Sequence, residues 1–108
     1  MKGRSDPVLS MVSIATKAGK VKSGEFSVEK CIKEGGASCV LISTDASGNT
    51  LKKFTDLCSY RDIPLFQYGS SEELGRACGK PFRMSLAISD IGLGEAVISK
   101  IKDTAYGG

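Results

Sequence analysis

The sequence predicts an α/β fold in which helices cover both faces of a four-stranded sheet. Helix-type and strand-type hydrophobic patterns alternate along the chain, with short connections between them. A length of 108 residues suits one domain over residues 1–108, with its core expected over about residues 6–103. Hydrophobic residues make up 41% and charged residues 25%, which is typical of a folded globular protein rather than a disordered one.

The first third of the chain predicts a helix, a short strand and a second helix. Asp6 can cap the first helix, and Pro7 suits its first turn, where no amide donor is needed. Apolar residues then recur at helical spacing until Gly19 ends the helix. The alternation of charged and apolar residues predicts a strand over Lys20–Lys22, with both lysines on one face. A second helix follows Gly24, and its buried stripe consists of Val28, Cys31 and Ile32.

The rest of the chain continues the alternation. Ser70 and Glu73 form a predicted capping box for a fourth helix that ends at Gly79, and Asp90 can cap the fifth helix. The tail from Ala105 to Gly108 is predicted to fray. The remaining strands are predicted at 38–43, 63–68 and 84–89. The expected core residues of the third and fifth helices are Leu51, Phe54, Cys58, Leu93, Val97, Ile98 and Ile101.

Several classes of protein are excluded by what the sequence lacks. The longest apolar run, around Cys39–Ile42, is far below the roughly 20 residues of a membrane span, and there is no signal-peptide pattern, so we expect a cytoplasmic protein. Without histidine or a Cys-x-x-Cys pair we predict no metal site and no cofactor. Glycine-rich phosphate loops are also missing, so we expect no enzyme and no catalytic residues. The cysteines are predicted to be reduced and buried: Cys31, Cys39, Cys58 and Cys78.

The positive charge of the chain is concentrated near its N-terminus. The net charge is +3, but residues 1–33 carry seven basic and three acidic residues, whereas residues 34–108 carry eight and nine. This asymmetry favours a surface that faces a polyanion, with Lys20 and Lys22 among the candidate contacts. The alternative is a set of scattered surface lysines.

The helix after Gly24 has an unusual outer face. With its apolar stripe turned to the core, Phe26, Lys30 and Lys33 lie together on the opposite side. A phenylalanine between lysines suits nucleic acid, because the ring can stack on a base while the ammonium groups contact phosphate. The alternatives are contact with a partner protein and a ring that is merely exposed.

The turn at Gly24 is a second candidate element. The first amides of a helix lack partners and carry positive partial charge, so a phosphate can bind there, and glycine lets it come close. Glu25 stabilises the helix through its dipole but repels phosphate, which leaves its carboxylate available to accept hydrogen bonds from a base. The alternative is a purely structural turn.

These segments resemble a known family. The matching stretches keep their order and spacing from about Val8 to Ile101, which is nearly the whole chain. They are Lys17–Glu25, Lys30, Gly35, Val40–Ser47, Leu57-Cys58, Ile63-Pro64, Glu73–Lys80 and Leu86–Ile88. Their combination resembles the kink-turn-binding ribosomal protein family of the L7Ae and L30e type, in particular its small bacterial branch.

The resemblance implies a single three-layer α-β-α sandwich with a mixed four-stranded sheet, like that of L30e, in agreement with the fold predicted above. It also implies a non-catalytic protein that binds structured RNA, either a kink-turn or a related bent internal loop. Such a protein is a ribosome-associated or ribonucleoprotein component, with no DNA and no membrane as partner. The family's RNA-facing motif begins with a glycine and has a lysine six positions later, and Gly24 and Lys30 hold these two ends.

Phe26 and Ser27 depart from the family's motif. They occupy positions where related binders commonly carry Asn-Glu or Lys-Gln, whose side chains read guanine edges. Phenylalanine can neither donate nor accept a hydrogen bond there, and serine is short. The resemblance therefore implies RNA binding without implying ordinary kink-turn affinity.

The loop before the last strand is the second implied contact, because in the family it packs apolar atoms on an extruded nucleotide. Here it carries Phe82, Arg83 and Met84, a basic and apolar mixture suited to stacking. The alternative is that Phe82 folds back over the edge of the core. Asp45 is a further candidate, with helix capping as its alternative.

A competing function uses the same aromatic residues. Phe26 and Phe82 could serve as apolar anchors of a protein-interaction or dimerisation module. The salt dependence of binding separates the two functions, because RNA contacts weaken steeply with salt and apolar contacts do not.

Overall fold

Helices and strands alternate strictly along the part of the chain that the structure describes. The computed structural model describes the backbone of residues 6–107 and the side chains of residues 6–104, so Lys2, Arg4 and Gly108 lie outside it. Within this range the helices are α1 (Pro7–Lys17), α2 (Glu25–Lys33), α3 (Gly48–Tyr60), α4 (Ser71–Ala77) and α5 (Ile91–Gly107). The strands are β1 (Val21–Ser23), β2 (Cys39–Ile42), β3 (Leu65–Gln67) and β4 (Ser85–Ile88).

The four strands form one mixed sheet in the order β1-β4-β2-β3. β4 pairs antiparallel with both β1 and β2, whereas β2 and β3 are parallel. Every residue of β2 and β4 is buried, because these two central strands are covered on both faces. The edge strands β1 and β3 are only partly buried.

Alternate residues of the central strands feed two separate cores. Leu41 and Leu86 pack on one side of the sheet with buried residues of α1, α4 and α5. Val40 and Ala87 pack on the other side with buried residues of α2 and α3. Each fully buried aliphatic side chain stabilises such a layer by about 1.5–3 kcal/mol. The predicted three-layer α-β-α sandwich with a mixed sheet is confirmed.

All four cysteines are free and buried, as predicted. Burial raises the pKa of Cys39 to about 12 and that of Cys58 to about 11. Thiols with these pKa values stay protonated at neutral pH and are poor nucleophiles. None of the helices in the described range has the length and apolar composition of a membrane span.

The predicted helix starts are confirmed at three places. The Asp6 carboxylate accepts hydrogen bonds from the first-turn amides of α1, at 2.8 Å from the amide nitrogen of Val8. Ser70 and Glu73 form the complete capping box of α4. Asp90 accepts a hydrogen bond at 2.8 Å from the amide of Leu93 at the start of α5.

Several predicted ends need correction by a few residues. β1 covers Val21–Ser23 rather than Lys20–Lys22, so Lys20 precedes the strand. α4 ends at Ala77, two residues before the predicted stop at Gly79, since Gly79 adopts the left-handed conformation that follows a helix. The tail predicted to fray is helical up to Gly107, because no residue before that glycine interrupts the helix.

Close packing at Gly75 positions the loop between α4 and β4, which we call the α4–β4 loop (residues 78–84). A β-carbon on Gly75 would lie 2.7 Å from the backbone nitrogen of Phe82, so only glycine lets α4 approach this loop. The amide of Lys80 donates to the carbonyl oxygen of Gly75 at 2.8 Å, and the amide of Arg83 donates to that of Ser71 at 2.9 Å. Helix and loop are therefore locked together.

We expect Gly75→Ala to destabilise the fold, because the added methyl group collides with the backbone of the α4–β4 loop. Such overpacking costs about 1–3 kcal/mol. The control is Gly48→Ala at the start of α3, where a β-carbon meets no atom within 4 Å. Urea unfolding should show a lower midpoint for Gly75→Ala only, and equal midpoints for both variants would contradict the packing argument.

Candidate nucleic-acid interface

The β1–α2 turn depends on the backbone conformation of Gly24. Its φ of 93° lies in the left-handed region, which glycine adopts without strain. Its amide donates to the carbonyl oxygen of Ser85 at 3.1 Å, and its carbonyl oxygen accepts from the amide of Val28 at 2.9 Å. No side chain in the described range caps α2, so the first amides of this helix remain open to a ligand.

A groove opens between this turn and the α4–β4 loop, and we call it the Gly24 groove. It encloses about 190 Å³ and is lined by Gly24, Glu25, Thr50, Phe82, Arg83, Met84 and Ser85. The Nε atom of Arg83 donates to Ser23 Oγ at 3.1 Å, and its Nη1 atom donates to the carbonyl oxygen of Phe82 at 2.8 Å. These bonds hold a guanidinium group along one wall. The structure thus brings together five of the residues predicted from the sequence: Gly24, Glu25, Phe82, Arg83 and Met84.

Two aromatic rings near the groove face solvent. Phe26 is 79% exposed and Phe82 is 55% exposed. Phe82 belongs to neither core, so the alternative in which it folds back over the core edge is wrong. Both rings are free to stack on a planar group.

The outer face of α2 has the predicted composition but not the predicted free charge. Phe26, Lys30 and Lys33 are all exposed and line one shallow hollow. However, Lys30 Nζ lies 3.1 Å from Glu34 Oε2, and Lys33 Nζ lies 2.8 Å from Glu29 Oε2. These carboxylates, each one helical turn from its lysine, neutralise the face in the free protein. The Lys30–Glu34 pair is exposed at both ends, and such pairs contribute only about 0–1 kcal/mol, so a phosphate can replace the Glu34 carboxylate at little cost.

Lys53 of α3 is a residue that the sequence analysis missed. Its Nζ atom lies 2.7 Å from Glu25 Oε2 and 2.7 Å from Glu29 Oε1, and it bridges the two helices. Hydrogen bonds from Lys33 and Lys53 lower the pKa of Glu29 from 4.5 to about 2. Hydrogen bonds to Glu25 and Glu29 raise the pKa of Lys53. Lys53 therefore neutralises the carboxylate that lines the groove.

Asp45 lies outside the groove lining and has a structural role. Its carboxylate accepts from the backbone amide of Ser71 at 3.0 Å and from Ser71 Oγ at 2.8 Å. It thus secures the start of α4, whereas α3 is capped by Ser47. Asp45 is therefore not the N-cap residue of either helix, since Ser47 caps α3 and Ser70 caps α4, and its carboxylate instead binds Ser71, the first residue of α4.

The remaining candidates lie beside the groove. Lys22 is exposed and is paired in the sheet with Ala87, whose side chain packs towards α2 and α3, so Lys22 lies on the α2 side of the sheet edge. Lys20 is exposed just before β1, and Ser27 is exposed in the first turn of α2. The described residues contain no cluster of three or more side chains suited to bind a metal ion.

Acid should weaken the contact between α2 and α3. Because the pKa of Glu29 is lowered in the folded state, its contribution to stability is present above about pH 4.5 and is lost as the pH falls towards about 2. We expect Glu29→Gln to lower the urea midpoint at pH 7 and to have little effect near pH 2. The control is Glu95→Gln, at an exposed position of α5. An equal effect of Glu29→Gln at both pH values would contradict the argument.

Known proteins are similar to this chain over most of its length. The model of the ribosomal protein L7Ae/L30e/S12e/Gadd45 family matches residues 6–98. The RNA-binding protein YlxQ of Bacillus subtilis is 42% identical over 89 residues, which cover 82% of this chain and 89% of that protein. The large ribosomal subunit protein eL30 of Methanoregula boonei is 40% identical over 92 residues, which cover 84% and 91%.

Solved structures share the fold. A Bacillus halodurans protein of unknown function superposes with a TM-score of 0.88 at 32% identity, covering 91% of this chain and 99% of that one. A 15.5 kD RNA-binding protein of Giardia lamblia gives a TM-score of 0.78 at 24% identity, covering 92% and 85%, and supports the fold alone. These relatives are described as ribosomal, RNA-binding or of unknown function, and not as enzymes. The resemblance seen in the sequence is confirmed: the chain belongs to the ribosomal protein L7Ae/L30e/S12e/Gadd45 family.

Proposed function

We propose that the chain binds structured RNA without catalysing a reaction, as a ribosome-associated or ribonucleoprotein component. Its target is a kink-turn or a related bent internal loop. The observation that carries the proposal is the uncapped N-terminus of α2, which faces Phe82 and Arg83 across the Gly24 groove. Relatives described as an RNA-binding protein and as a large-subunit ribosomal protein support the same conclusion.

The groove supplies the contacts that an unpaired nucleotide needs. The amides of the first turn of α2 and the Arg83 guanidinium are hydrogen-bond donors, so they favour phosphate and carbonyl oxygens. Phe82 offers an exposed ring, and stacking of a base on such a ring contributes about 1–3 kcal/mol. Beside the groove, Lys30 and Lys33 exchange their carboxylate partners for phosphates of the flanking helix.

Specificity for kink-turns rests on shape more than on base edges. Phe26 presents a ring face with no donor or acceptor, and Ser27 reaches less far than the amide or carboxylate side chains of related binders. A good bidentate contact with a base is worth about 1–3 kcal/mol of discrimination in DNA. Without such contacts, the protein selects a bent backbone with an extruded nucleotide, which stacks on Phe82.

The competing function is protein interaction or dimerisation through Phe26 and Phe82. The 79% exposure of Phe26 is the observation that favours it.

Fluorescence anisotropy separates the functions: a kink-turn RNA is titrated with protein at 50 and 200 mM salt, beside a duplex of equal length without the internal loop. The proposal expects preference for the kink-turn and steep loss of affinity with salt. Equal binding of both RNAs would overturn the target class, and no binding of either would overturn RNA binding.

Lys30→Glu should weaken binding of the kink-turn RNA about tenfold or more, because it places a carboxylate where a phosphate contact is proposed. The salt dependence should become shallower by about one phosphate contact. Lys102→Glu is the control, since it makes the same charge change at an exposed position of α5. Equal losses in the two variants would indicate a general charge effect and would argue against this face.

Lys53→Met should also weaken RNA binding about tenfold, because the Glu25 carboxylate that lines the groove then loses its lysine partner. Adding Glu25→Gln to that variant should restore much of the affinity, since it removes the charge that Lys53 neutralises. Lys52→Met is the matched control: Lys52 is 77% exposed and pairs only with Asp56 on its own helix, at 3.0 Å, among the described residues. Equal anisotropy titrations for Lys53→Met and Lys52→Met would show that Lys53 does not act on the groove.

A further inference from the structure

We propose that the hydroxyl group of Ser85 binds an acceptor oxygen of the RNA at the inner end of the Gly24 groove. The inference rests on the proposed function and adds a contact residue to it. Ser85 is only 1% exposed, and its Oγ atom has no hydrogen-bond partner among the described residues. It is also one of the residues that line the groove.

The position of Ser85 directs its hydroxyl group towards α2. Ser85 is the first residue of β4 and is paired with Ile42 of β2. Ile42 and Ala87 both pack in the core between the sheet and α2 and α3, and alternation along β4 puts Ser85 on the same face as Ala87. Its carbonyl oxygen accepts from the amide of Gly24, so the strand start and the helix start are joined at this point.

The other two buried polar side chains in the described range are both satisfied. Ser43 Oγ donates to Met84 Sδ at 3.3 Å, and Ser71 Oγ donates to Asp45 Oδ2 at 2.8 Å. Only the hydroxyl of Ser85 is left without a partner within this range. Alanine would avoid the unfavourable burial of an unpaired hydroxyl group, and Ala87 shows that alanine fits this face of the strand. The hydroxyl of Ser85 therefore makes no hydrogen bond to another described residue of the free protein.

The neighbouring groups define what the hydroxyl can bind. The first amides of α2 and the guanidinium of Arg83 are donors only, and a serine hydroxyl can donate as well. The carboxylate of Glu25 is held by Lys53 at 2.7 Å. These donors share one complementary ligand, an acceptor oxygen, which RNA provides on its sugar–phosphate backbone or as a base carbonyl oxygen. Met84, which is 37% exposed, lines the groove beside Ser85.

The test measures stability and RNA affinity together for Ser85→Ala. We expect an unchanged or higher thermal midpoint, because no hydrogen bond of the free protein is lost. Affinity for the kink-turn RNA should fall about tenfold, the loss expected for one hydrogen bond to an RNA oxygen. The control is Ser99→Ala, at an exposed position of α5, which should change neither quantity.

Failure of this inference is distinct from failure of the proposed function. If the wild-type protein binds no structured RNA, the proposed function fails. If it binds and Ser85→Ala binds equally well, the role of Ser85 is wrong. Weaker binding together with a lower thermal midpoint would also overturn it, because the hydroxyl would then serve the fold.

A set of RNAs with single abasic sites identifies the source of the oxygen. If the tenfold effect of Ser85→Ala disappears for one abasic site, the partner is a carbonyl oxygen of that base. If the effect persists for every site, the partner is an oxygen of the sugar–phosphate backbone, because abasic RNAs keep this backbone. Both results support a hydrogen bond from Ser85.

Discussion

The hydrogen bond from the amide of Gly24 to the carbonyl oxygen of Ser85 is the constraint on which the candidate interface depends. It joins the start of α2 to the start of β4, and the left-handed conformation of Gly24 makes it possible. Any other residue would be strained at this turn. The uncapped helix end and the strand that forms the back of the groove are therefore fixed together.

Packing of α4 supplies the opposite wall. Asp45 holds the start of α4 through Ser71, and the carbonyl oxygen of Ser71 accepts from the amide of Arg83. The missing side chain at Gly75 lets the helix lie against the backbone of Phe82. Asp45 and Gly75, which do not line the groove, thus set the position of Phe82 and Arg83, which do. Substitution of Asp45 or Gly75 would affect binding only indirectly.

Local signals explain how much could be predicted from the sequence. The caps Asp6, Ser70 and Asp90 lie within three residues of the amides that they satisfy, so the helix starts could be predicted. The mixed sheet and the groove wall at Phe82 were implied by family resemblance. The bridge from Lys53 to Glu25 spans 28 positions and the hydrogen bond from Ser71 to Asp45 spans 26. The hydrophobic periodicity of single helices and strands does not predict contacts between residues so far apart in the sequence. The one available signal for Lys53 was its place beside the core residue Phe54 on α3.

The central place of β4 in the sheet has a consequence for the thermodynamics of association. β4 is hydrogen-bonded on both sides, to β1 and β2. Ser85 and the strand residues after it therefore cannot shift without disturbing the whole sheet. A binding surface built on such a strand loses little backbone entropy when it is occupied. For the proposed RNA complex, most of the ordering that accompanies binding then falls on the RNA, because the wall of the groove is already in place.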